Sequence, residues 1–262
     1  MEQSRIPFDM APTSAYDAAA PTFERHRGLP AGTAEAIRAA ILGAIATPSP
    51  RLLDLGAGTG RIGRAFVEAG DDYVGVDLAF GMLRAFRQRC SARLVRADGE
   101  RLPFADAAFD ALMLIQVFGG MRGWRRLLLE AQRVLRRTGA LVVGRTVLPL
   151  EGVDARMKER VATILDELGV RRDVANPRDD ALRFLGNTAR GVEVHAAAWN
   201  AARTPRGFIE RHRTGARFST LPEPVRDEAL RKLGIWAAAT FGSLDVAFDE
   251  RHAFELQVFK FS

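Results

Sequence analysis

A single cysteine, Cys90, stands in 262 residues. No disulfide can form within the chain, and a reducing compartment is the natural expectation. Long apolar runs are missing as well: no window approaches the roughly 18 uncharged residues of a membrane span. The opening stretch MEQSRIPFDMAPTS lacks the apolar core of a secretory signal. A cytoplasmic protein without a membrane span is expected. Lysine is scarce, occurring only at Lys158, Lys232 and Lys260, although the net charge is +6 and the isoelectric point near 10.3. The other basic residues are arginines, many beside acids, as in Glu210-Arg211 and Asp249-Glu250-Arg251. Such interleaving describes a solvated surface rather than a basic groove, so nucleic acid is not the expected partner. No metal centre is expected either. What the chain does have is 47% hydrophobic residues, enough for one large domain or a domain with a substantial insertion.

Through the first 150 residues the apolar period switches repeatedly between strand and helix, the signature of alternating βα units on a parallel sheet. Strands are predicted over 51–55, 73–76, 93–96, 111–115 and 140–147, and helices over 33–46, 61–69, 81–89 and 124–135. The runs LMLI and LVV lack polar alternation, as strands covered on both faces should. The fold class is therefore α/β, a doubly wound sheet. After Pro149 the pattern changes to helices over 154–168, 177–185 and 224–240, a strand over 192–197, and a short helix after Thr204-Pro205. Two further strand-like runs, 244–248 and 253–261, flank the polar stretch 249–252 and read as an antiparallel hairpin at the sheet edge. His252 then reads as a turn residue.

LLDLGAGTG, residues 52–60, places glycines at 56, 58 and 60 directly after the first strand. Gly58, Gly60 and Gly63 also satisfy GxGxxG, the dinucleotide fingerprint. In a βαβ unit such a loop lets a ligand lie against the main chain. Three acids accompany it. Asp77 closes the second strand, where a carboxylate accepts ribose hydroxyls from any nucleoside cofactor. Asp54 lies inside the first strand, where a buried carboxylate needs donors. Asp98, ending the third strand, suits either an adenine amino group or a helix N-cap.

The segments LLDLGAGTGRIG, GVDLAFGML, ADGERLPFADAAFDAL and EAQRVLRRTGALVV occur in order over 52–143, and together this stretch resembles the class I S-adenosylmethionine methyltransferases. The likeness is to the small-molecule branch similar to ubiquinone and menaquinone biosynthesis methylases. It implies a Rossmann-like seven-stranded sheet, S-adenosylmethionine as cofactor, S-adenosylhomocysteine as product, and a small-molecule methyl acceptor. By position, Asp54, Gly56, Gly58 and Gly60 would hold the methionine tail and Asp77 the ribose. Leu78 and Met82 would face the adenine, with Asp98 and Gly99 at its edge. The N-terminal YDAAAPTFERHRGLP resembles the family's leading segment, which implies Tyr16, Phe23 and Arg27 near the cofactor. A nicotinamide reductase is the rival reading of the loop, and nothing downstream resembles a hydride-transfer constellation.

Where the family often places histidines near the transferred methyl, this chain has IQVFGGMRGW, with Gln116 and Gly119 at the aligning positions. Transfer by in-line positioning is then expected, with Gln116 touching both cofactor and acceptor. His195 and His212 are the candidate bases. Phe118, Trp124, Trp199 and Phe208 are the expected walls of the acceptor pocket. The expected division is a cofactor-covering segment over 1–50, a cofactor-binding core over 51–149, a substrate lid over 150–222, and a C-terminal helix and edge hairpin over 223–262. A monomer or weak homodimer is expected. A non-catalytic binding or scaffolding protein with the same fold stays open as the alternative, with RNA or protein methylation behind it.

Overall fold

The computed structural model describes residues 16, 17, 20, 28–118, 123–170, 177–213, 215, 218 and 220–261. Seven strands form one sheet: β1 (Leu52–Leu55), β2 (Tyr73–Asp77), β3 (Arg93–Arg96), β4 (Phe109–Ile115), β5 (Leu135–Val147), β6 (Arg190–Arg203) and β7 (Phe248–Lys260). Their order is β3-β2-β1-β4-β5-β7-β6. The first five strands pair in parallel, and β7 runs antiparallel to both its neighbours. The doubly wound expectation is met. All four residues of β1 are buried, which is why its apolar run shows no alternation.

Two helical layers cover the sheet. On one face α1 (Thr33–Ile45), α2 (Gly63–Glu68) and α3 (Phe80–Arg87) set Ile37, Ile41, Phe66 and Phe86 against Leu52, Tyr73, Met113 and Val142. On the other, α4 (Trp124–Val134) buries Trp124, Leu127, Leu128, Ala131 and Val134, an apolar stripe at helical spacing, against Leu53, Leu112 and Leu141. Each such fully buried leucine contributes about 1.5–3 kcal/mol. No helix among the described residues is long and apolar enough to cross a membrane.

The C-terminal half departs from the sequence reading in two ways. The antiparallel edge exists, but 249–252 is not a turn: it lies inside β7, whose partners are β5 and β6. Along β7 the residues Glu250, His252, Phe254, Leu256 and Val258 are buried while Asp249 and Arg251 are exposed. The period of two is intact, but two of its inward positions are polar and mimic a turn. Glu250 accepts from the Val153 amide and lies 3.2 Å from His252 Nε2, so the polar pair is satisfied inside.

The second departure concerns the helices. α5 (Val153–Glu167), α7 (Pro205–Arg213) and α8 (Glu223–Phe241) share a separate core of Met157, Ile164, Phe208, Leu230 and Leu233. α6 (Pro177–Thr188) does not belong to it: Ala181 and Leu185 pack with α4 on the sheet. The packing boundary is therefore not at 222. α8 joins the helical unit, and α6 and β6 join the sheet, because each follows its own apolar face. β5 and β6 both run antiparallel to β7, so Val147, Arg203 and Phe248 emerge at one end of the sheet. The three-helix cap is thus attached at the carboxyl ends of the parallel strands. A charged seam fastens it: Asp154 pairs with Arg211 and lies 3.8 Å from Arg203, whose guanidinium reaches His252 at 3.5 Å.

Candidate active site

Between β1 and β4 the chain changes direction across the sheet, since β2 and β3 lie to one side of β1 and β5 to the other side of β4. Open α/β sheets bind ligands at this switch point. A cavity of about 490 Å³ opens there, within the size range of small-ligand sites. Its walls include Tyr16, Asp54, Gly56, Gly58, Asp77, Leu78, Met82, Asp98, Gly99 and Gln116. Of the residues expected around the cofactor, these ten converge. Arg27 and Phe23 lie outside the described residues.

The glycines of the loop serve different ends. Gly58 adopts φ 57°, and a Cβ there would meet nothing closer than 3.9 Å, so its position is open toward the cavity. Gly60, at φ 77°, is held against the ring of Phe86, with which any Cβ would collide. It is not on the cavity wall. Gly60 therefore positions the loop, while Gly58 leaves space beside it. Gly63, the third glycine of the dinucleotide pattern, packs on Tyr73 in the same way.

Asp54 is 4% exposed; its Oδ2 accepts from the Tyr73 hydroxyl at 2.7 Å. Its Oδ1 is buried with no protein partner. Burial raises its pKa to about 6, the Tyr73 hydrogen bond opposes this, and the nearby Asp77 charge adds to it. Asp77 accepts from the amides of Gly58 at 2.9 Å and Ala79 at 2.8 Å, which pins the carboxylate at the cavity. Its pKa is also raised, first by burial, with both amides pulling it down. Asp98 accepts from the Glu100 amide at 2.9 Å in a turn that no helix follows, so the N-cap reading is not met. Asp17 accepts from the Gly81 amide at 2.7 Å and ties the N-terminal segment to the start of α3, beside Tyr16.

At the other end of the cavity Gln116 follows β4 with φ 58°, a left-handed conformation for a residue with a long side chain. Its amide donates to Gly144 at 2.9 Å, its Nε2 donates to Thr146 Oγ1 at 2.8 Å, and its Oε1 accepts from Arg61. Arg61 and Thr146 were not among the residues the sequence singled out. Arg61 does carry a signal, since it directly follows the glycine loop. Thr146 carries none, because its approach to Gln116 depends on the pairing of β4 with β5.

The remaining candidates lie elsewhere. Phe118 and Trp124 are buried in the core under α4, where Trp124 packs edge-on against Phe184 with ring centroids 5.9 Å apart. Phe208 and His212 lie in the cap, stacked at 3.9 Å, and Phe218 packs edge-on against the imidazole. His212 Nδ1 donates to the Phe208 carbonyl at 3.0 Å, and burial lowers its pKa to about 4. His195 is exposed on the edge strand β6 at a bulge. Trp199 packs on the sheet face and edge-on against His252 at 5.8 Å. None of these six residues is on the cavity wall.

A family described as a methyltransferase domain matches residues 53–143. A demethylmenaquinone methyltransferase of Mycobacterium sp. (strain KMS) is 33% identical over 165 residues, covering 60% of this chain and 70% of that protein. The chain belongs to the class I S-adenosylmethionine-dependent methyltransferases. Within this methyltransferase family, a demethylmenaquinone methyltransferase of Renibacterium salmoninarum is 32% identical over 57% of this chain and 65% of its own length. One of Corynebacterium urealyticum is 36% identical over 39% and 44%. The chain thus spans less than two thirds of these two relatives. Among solved structures, YcgJ of Bacillus subtilis superposes with TM-score 0.56 at 19% identity, covering 87% of this chain and 99% of that one. A methyltransferase-like protein of Bacillus halodurans gives 0.53 at 16%, over 88% and 99%. Both show the same fold.

The residues present fit the family's cofactor. Asp54 Oδ1 is an acceptor awaiting a donor, Asp77 is fixed at the second strand's end, and Gly58 leaves the loop open to a chain lying across it.

Proposed function

We propose that this chain transfers a methyl group from S-adenosylmethionine to a small-molecule acceptor. The observation that supports it best is the unsatisfied Oδ1 of Asp54 on a cavity wall, because a buried carboxylate oxygen without a donor is costly and a cationic amine supplies one. In this reading Asp54 and the glycine loop hold the aminocarboxypropyl tail, Asp77 the ribose, and Leu78, Met82, Asp98 and Gly99 the adenine. The bound sulfonium supplies an electrophilic methyl group. Gln116, at the β4 end, positions the acceptor for in-line approach. The three-helix cap, attached at the same end of the sheet, closes over the acceptor. Since neither His195 nor His212 is on the wall, the candidate bases of the sequence reading are not carried forward.

Calorimetry tests this. S-adenosylhomocysteine should bind saturably, a nicotinamide dinucleotide should not, and Asp77→Ala should weaken the former by about 1.5–3 kcal/mol, the range for a charge-assisted hydrogen bond. Heat from the dinucleotide alone would replace the proposal with a reductase.

A further inference from the structure

Arg61 is the one basic residue among the described residues that line the cavity; the other titratable groups there are Tyr16, Asp54, Asp77 and Asp98. The three acids come from β1, the end of β2 and the loop just after β3, the side that holds the cofactor in the reading above. Arg61 is tied instead toward β4 and β5. Gln116 accepts from the guanidinium through Oε1 while its Nε2 donates to Thr146. An amide whose oxygen and nitrogen are both committed cannot flip without losing both bonds. The backbone at Gln116 is left-handed (φ 58°), an uncommon conformation for a residue with a long side chain. The guanidinium therefore stands at the β4 end of the cavity, and among the described residues no histidine lines it.

We infer that Arg61 binds the ionised oxygen of a hydroxyl-bearing acceptor, with Gln116 and Thr146 as the residues that position the guanidinium. This rests on the methyl-transfer reading above. The guanidinium cannot accept a proton, so it acts by favouring the oxyanion. The hydroxyl proton leaves to water before transfer. The oxyanion then attacks the methyl carbon; an O–C bond forms, the C–S bond breaks, and its electron pair stays on sulfur as neutral S-adenosylhomocysteine. If a conjugated carbon is the nucleophile, the same oxyanion supplies the pair and the displaced carbon-bound proton follows to water. Arg61 is thus a catalytic residue that removes the need for a protein base.

The test uses 4-nitrophenol, whose phenolate absorbs visible light, added to protein saturated with S-adenosylhomocysteine. The bound probe should titrate roughly one pH unit below the free probe, the lower end of the effect of a contacting cation. Arg61→Met should abolish the shift, and Arg61→Lys should keep part of it. Thr146→Val should remove at least half of it and Thr146→Ser should restore it, which a purely structural role would not produce. Affinity for S-adenosylhomocysteine should stay within about twofold in all four variants, confirming that they fold. A bound probe with the free midpoint, no saturable probe binding, or a shift that survives Arg61→Met overturns the inference. So does a large loss of S-adenosylhomocysteine affinity in Arg61→Met with the shift retained, which assigns the guanidinium to the cofactor's carboxylate. Failure of wild type to bind S-adenosylhomocysteine at all removes the methyl-transfer reading itself, and this inference with it.

Discussion

In the cleft, burial lifts the Asp54 carboxyl to about 6; in the cap, burial drops the His212 imidazole to about 4. Removal from water disfavours the charged form of both groups, yet the two settings differ. His212 packs between Phe208 and Phe218 and gives its Nδ1 proton to the Phe208 carbonyl, so the donor of its neutral form is paired within the protein. Asp54 has one oxygen bonded by Tyr73 and one with no protein partner at a cavity. The cap is a core that happens to contain a histidine. The cleft leaves a carboxylate oxygen without a protein donor beside a cavity. A perturbed titration alone does not separate the two; the unpartnered atom does.

The largest effect that bears on this contrast is expected at Phe208, which is 1% exposed at the centre of the cap core. Phe208→Ala should cost about 3–5 kcal/mol. If cap and cleft are separate packing units, hydrogen exchange of α5, α7 and α8 will accelerate accordingly while amides of β1, β2 and β4 keep their protection. Equal acceleration in both regions would make them one cooperative unit, fastened by the Asp154, Arg203 and Arg211 seam.

These two regions were also unequally legible in the sequence. The sheet half declared itself because its signals are local: an apolar strand, then glycines, then a carboxylate at the end of the next strand. Gly60 shows the limit even there, since only the approach of Phe86 distinguishes a packing glycine from a ligand-facing one. In the C-terminal half the informative contacts join distant residues. Glu250 and His252 looked like a turn because Val153 and Arg203, which satisfy them, are 97 and 49 positions away. Phe118, Trp124 and Phe208 were reasonable pocket walls by residue type, but aromatic character alone does not separate a wall from a core. Thr146 is silent until β4 and β5 are paired.

The pH response of the cap is the next largest effect. The folded-state pKa of His212 lies below its ordinary value of 6.5, so the unfolded chain binds the extra proton between about 4 and 6.5. Stability is then highest above 6.5 and falls with acidification through that window, by roughly 2–3 kcal/mol at most. His212→Phe, which keeps the ring stack, should flatten this part of the stability curve measured by urea unfolding. An unchanged acid limb would place the sensitivity on other groups and weaken the picture of an imidazole kept neutral by burial in the cap.

Asp54 should respond with the opposite sign, and by less. Its folded-state pKa lies above the ordinary 3.8, so the folded protein holds the extra proton between about 4 and 6 and loses stability as pH rises through that window. Asp54→Asn removes the ionisation and still leaves an oxygen to accept from Tyr73. At pH 7 the variant should therefore be more stable than wild type by about 1–2 kcal/mol, a discount on the full shift because the cavity admits water. The gap should close below pH 4. Affinity for S-adenosylhomocysteine should move the other way, falling by about 1–2 kcal/mol as the charged partner of its amine is lost. That opposition separates a functional carboxylate from a structural one: stability gained and binding lost in the same substitution. If Asp54→Asn were destabilising at pH 7 and left binding unchanged, Asp54 would be a core residue like His212, and the contrast between cleft and cap would disappear.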